Sequence, residues 1–109
     1  MPMKALWLLG LALLAAGCAG RDSGSRLSEE QQRAVEAAQQ LFQRKKAEGM
    51  SMSRGPCLGE IMPGWVADVV HNPRQPIDED PDNQCRAYLK GEAKHFVELD
   101  MEGKLVRVQ

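Results

Sequence analysis

Residues that usually carry chemistry are scarce in this chain. Its 109 positions hold three cysteines and two histidines, and aromatic residues make up 5% of them. There is no C-x-x-C pair, no zinc-finger spacing, no H-E-x-x-H, no G-x-S-x-G and no phosphate-cradling glycine loop. An excess of either charge is missing too, since 14 Lys+Arg stand against 15 Asp+Glu for a formal charge of −1. That balance argues against a nucleic-acid partner, which needs a basic stripe to neutralise phosphates. It equally argues against polybasic attachment to a membrane surface. With 43% hydrophobic residues the chain is not of disordered composition, and its length allows one domain.

No apolar run is long enough to cross a bilayer, which takes about 20 helical residues. The longest, residues 5–16 (ALWLLGLALLAA), follows Lys4 and leads through small residues to Cys18. Charge, apolar run and small residues in that order form a secretory signal. The stretch Leu14-Ala15-Ala16-Gly17-Cys18 resembles the lipobox of bacterial lipoproteins, with Ala15 three positions before the cysteine where that family usually has Leu. The resemblance implies that residues 1–17 are removed and that Cys18 becomes a lipid-bearing first residue, carrying palmitate-type acyl chains. It also implies that Ala19, which is not Asp, directs the protein to the outer membrane of a Gram-negative host, facing the periplasm. Ordinary cleavage to a soluble secreted protein and a short transmembrane anchor stand beside it as alternatives.

Lipidation of Cys18 leaves Cys57 and Cys85, which an oxidising compartment would join. A disulfide closing a loop of about 29 residues is worth roughly 3.5 kcal/mol in the chain-entropy model. A reactive or metal-binding thiol is the competing reading.

Residues 18–27 are small and polar, a tether between lipid and domain. Residues 28–109 read as one small α+β domain. Ser28 and Gln31 form a capping box, and Ala34, Val35, Ala38, Leu41 and Phe42 make one helical stripe ending near Gly49. Residues 50–64 read as irregular. Residues 65–71 (WVADVVH) read as a strand with Trp65, Ala67, Val69 and His71 on one face. A proline-rich loop follows, then a short helix from Pro81 to about Lys90 with Cys85, Tyr88 and Leu89 inward. Residues 94–100 and 104–108 form a hairpin around Met101-Glu102-Gly103. The expected sheet is antiparallel and of about three strands. From Gly55 onward the pattern GPCL…WVADV…HNPRQP…NQC…HFVELD is similar to a small family of uncharacterised bacterial lipoproteins, a likeness that implies no activity.

No cofactor is expected. Met50 and Met52 with His71 and His95 are the candidate soft ligands for a copper-type ion, set against the ordinary role of methionine as a core filler. The acids of residues 78–83 lack the EF-hand spacing. The reading is therefore not an enzyme but a lipid-anchored envelope protein that binds a partner or serves assembly, with periplasmic metal binding as the alternative. Trp65 and Arg74 are of the types enriched at interfaces.

Overall fold

A computed structural model describes residues 26–109. The expected signal, Cys18 and most of the expected tether lie outside the described residues. Helix α1 spans Glu29–Ala47 and begins at the expected box. Ser28 Oγ accepts the Gln31 N–H and Gln31 Oε1 accepts the Ser28 N–H, both at 3.0 Å. Glu29 and Glu30 occupy its first turn and Arg44, Lys45 and Lys46 its last, each matching the helix dipole. Ala34, Ala38, Leu41 and Phe42 are buried, with Val35 packed beside them.

The sheet has four strands, not three: β1 Cys57–Met62, β2 Trp65–Val69, β3 His95–Leu99 and β4 Leu105–Val108, in that spatial order. It is mixed. β1 with β2 and β3 with β4 are antiparallel, whereas β2 and β3 run parallel. The purely antiparallel expectation fails because residues 70–94 are long enough to carry the chain back across the sheet. The stretch expected to be irregular contains β1. Its register slips on either side of Gly59-Glu60, which erases the alternation that marks a strand. Pro63 and Gly64, at φ 80°, turn β1 into β2. The C-terminal hairpin is as expected, with Gly103 at φ 87°.

Two layers sandwich the sheet. On the inner face α1 packs on Leu58, Trp65, Ala67, Val69, Val97 and Leu99. On the outer face the crossover covers Val66 and Phe96 with Cys85, Ala87 and Ala93. The expected helix from Pro81 to Lys90 is broken. Asp80 caps a 3₁₀ turn, Pro81–Asn83, then Gln84 and Cys85 are extended before the single turn α2, Arg86–Leu89. Tyr88 and Leu89 are 40% and 51% exposed, so only Cys85 of the expected inward set is buried. Cys85 is joined to Cys57, fixing the crossover to β1 itself.

The first half of the crossover is held by Asp78, whose side chain is fully buried. It accepts the backbone N–H of Gln75 (2.8 Å) and of His71 (3.1 Å), and lies 2.9 Å from His71 Nδ1. Burial alone would raise this carboxyl, but these bonds together hold it below the ordinary range. Gly55 makes the space: a Cβ there would stand 2.7 Å from Asp78 Oδ1 and 2.9 Å from the Val69 carbonyl oxygen. Gly91 has a similar φ, 80° against 70°, with open space around it. Gly91→Ala is therefore expected to cost about 1–2 kcal/mol, the left-handed backbone alone. Gly55→Ala, which adds a steric conflict with fixed backbone, is expected to cost about 3–5 kcal/mol. Urea denaturation of the two variants measures the gap, and equal losses would remove the packing role of Gly55.

Candidate functional site

The alternation of β2 sends Trp65, Ala67 and Val69 to the helix and leaves Val66 and Asp68 facing the crossover. Asp68 sits opposite Glu98 on β3, and Glu98 sits opposite Arg107 on β4. One row across the outer face therefore reads Asp68, Glu98, Arg107, and the row beside it pairs Val66 with Phe96. Arg74 reaches in from the crossover. These side chains, with Gln84, Cys85 and Tyr88, line a cleft of about 70 Å³.

Glu98 is the electrostatic centre of the row. Its side chain is 6% exposed, and burial of an unpaired carboxylate would be prohibitive. Arg74 Nη1 donates to both of its oxygens at 3.3 Å, and Arg107 Nε lies 3.3 Å from Oε1. Arg74 Nε also donates to Glu79 at 2.6 Å. The Arg107 guanidinium rests over the Phe96 ring, 4.8 Å from its centroid.

Asp68 has no such support. Its Oδ1 is buried without a hydrogen-bond partner. Burial first, and then the charge of Glu98, push its carboxyl up to about 7 against the pull of Arg74 and Arg107. A group that titrates near neutrality can present an O–H to an acceptor or a carboxylate to a donor. One proton at Asp68 thus decides whether this wall of the cleft offers a donor or only acceptors.

The residues singled out as metal ligands are not brought together. Met52 is buried in the inner core and Met50 packs against it, as core fillers do. His95 stacks on Trp65 at 4.6 Å, beside the start of β2. His71 lies beyond the other end of β2, with Nδ1 against Asp78. Among the described residues no group of three or more His, Cys, Asp or Glu could hold a metal ion. Cys57 and Cys85 are joined, at a Cα–Cα distance of 4.9 Å, which spends both thiols. Trp65 is core, 2% exposed, and its Nε1 donates to Glu30. Arg74 was singled out and belongs to the cleft. Asp68, Glu98 and Arg107 were not. The signal available was Asp68 itself, a lone acid inside the otherwise apolar run W-V-A-D-V-V.

No family model, curated protein or solved structure matches the chain.

A carboxyl with a raised folded value holds its proton more tightly folded than unfolded. Its ionisation opposes folding, so the stability present below about pH 4 is lost as pH rises to about 7 and is level above. A shift of this size is worth on the order of 4 kcal/mol. Asp68→Asn is expected to lack this loss and to exceed the native protein in stability at pH 8 by a few kcal/mol. Chemical denaturation at pH 5 and pH 8 measures it, and a native protein equally stable at both would contradict the assignment.

Proposed function

We propose that this is a lipid-anchored cell-envelope protein that works by binding, tethered through Cys18 and presenting the Asp68 cleft to its ligand or partner. The observation that carries the binding role is Asp68: a carboxyl that lines the cleft beside two arginines and has one oxygen, Oδ1, without a partner among the described residues. Such a group costs stability until something supplies its missing bond. The location is supported by the cysteines. With Cys57 and Cys85 paired, the remaining cysteine is the one in the lipobox-like segment. A disulfide is at home in an oxidising envelope compartment. The proposed attachment is through acyl chains at Cys18. In a Gram-negative host the proposed address is the periplasmic side of the outer membrane.

In such a host the full chain is expected in the membrane fraction as a shortened, acylated form, and Cys18→Ser is expected to keep residues 1–17 and to carry no acyl chain, as intact mass would show. A variant still membrane-bound and equally processed would end the anchor proposal. For the cleft, a photoreactive residue in place of Gln84 is expected to crosslink to an envelope component. The same residue in place of Gln43, on the solvent side of α1, is not. Equal labelling from both positions would remove the cleft as the recognition point.

A further inference from the structure

Resting on the reading of the cleft as the binding site, we infer that its ligand group is a carboxylate, with Arg74 and Arg107 donating to its oxygens and Asp68 as the third hydrogen-bonding partner. The geometry leaves the arginines part-used. Arg74 spends Nε on Glu79 and Nη1 on Glu98, and Arg107 directs Nε at Glu98. Arg74 Nη2 and both terminal nitrogens of Arg107 donate to nothing among the described residues. The free terminal pair of Arg107 matches the planar oxygens of a carboxylate, and Arg74 Nη2 adds one more donor. Glu98 holds both forks in place before any ligand arrives, so little order is lost on binding.

Size agrees with the charge. A cleft of about 70 Å³ has room for about two waters, and a carboxylate fits that space. The Phe96 ring, with Tyr88 edge-on at 5.1 Å, offers an apolar wall to whatever carries the group. The charges facing Asp68 are Glu98 from β3, Arg107 from β4, and Arg74 and Asp78 from the crossover. With Asp68 neutral, Arg74 and Arg107 face the paired carboxylates of Glu98 and Glu79. With Asp68 ionised one more negative charge is added, and the acceptor meets a carboxylate instead of an O–H. Binding is thereby coupled to a proton, strong below neutral pH and weak above it.

The test uses the full chain, extracted from membranes in detergent with its disulfide intact, and sodium benzoate as probe. Calorimetry is expected to show saturable binding at pH 6 that weakens at least tenfold at pH 8. Arg107→Met, at an exposed side chain, is expected to weaken it at least tenfold, and Arg107→Lys to recover part of the loss. Asp68→Asn is expected to bind equally at the two pH values. A carboxylate at a peptide C-terminus and one on a free organic acid are distinguished by acetyl-Gly-Phe with a free or amidated terminus. Tighter binding of the free form than of benzoate identifies the peptide source, and benzoate binding without any peptide binding identifies the organic acid. No benzoate binding, equal binding of uncharged benzamide, or indifference to Arg107→Met would overturn the inference. If benzylammonium bound instead, more tightly at pH 8 and not to Asp68→Asn, the carboxylate would be wrong and the cleft would remain the binding site. If no probe bound and Gln84 gave no crosslink, both readings would fall.

Discussion

The outer face of this domain exists because residues 70–94 are held down on the sheet, and Asp78 is what holds their first half. A fully buried carboxylate is affordable only when donors surround it. Here two backbone N–H groups and the His71 ring converge on it, and Gly55 leaves room for its oxygens. The second half is fixed differently, by the covalent link from Cys85 to the first residue of β1. Between these two restraints the chain makes only 3₁₀ turns and a single helical turn. Such short elements have little stability of their own. The cleft wall is therefore built from irregular backbone whose position is set by one acid and one disulfide.

Three acids on this side of the sheet show how the surroundings set a carboxyl's behaviour. Asp78 is buried and surrounded by donors, and it is held ionised. Glu98 is almost as buried and is matched by two guanidinium groups. Asp68 is next to Glu98 in the same row, and among the described residues its buried Oδ1 receives no donor. Like charges directly opposite on neighbouring strands repel, which adds to its burial. Arg74 and Arg107 direct donors at Glu98 and none at Asp68. The difference between a structural ion pair and a neutral-range titrating group thus comes from which of two adjacent carboxyls the arginines reach.

The parts legible in the sequence are those specified by neighbours in the chain. The capping box at Ser28, the stripe from Ala34 to Phe42 and the Gly103 hairpin are local signals, and each appears where its residues put it. The Cys57–Cys85 pairing followed from counting cysteines against an exported address. What was not legible depends on long-range pairing. β1 hides behind its register shifts and Gly59, and the parallel contact of β2 with β3 is a property of strand order, which no local pattern records. Asp68, Glu98 and Arg107 each look like the solvent side of an alternating strand. Only the register places them in one row, and only the crossover turns that row into a cleft.

An unpartnered carboxyl at this position is hard to justify on stability grounds. A small apolar side chain beside Val66 and Phe96 would avoid desolvating a charge altogether. Above neutral pH the ionised Asp68 costs on the order of 4 kcal/mol, a large share of what a domain this size possesses. The disulfide, closing a separation of 28 residues, offsets a similar amount, roughly 3.5 kcal/mol. The two features are joined in space as well as in energy, because Cys85 lines the cleft that Asp68 occupies. In this domain the Cys57–Cys85 link contributes on the scale that the unpartnered acid costs.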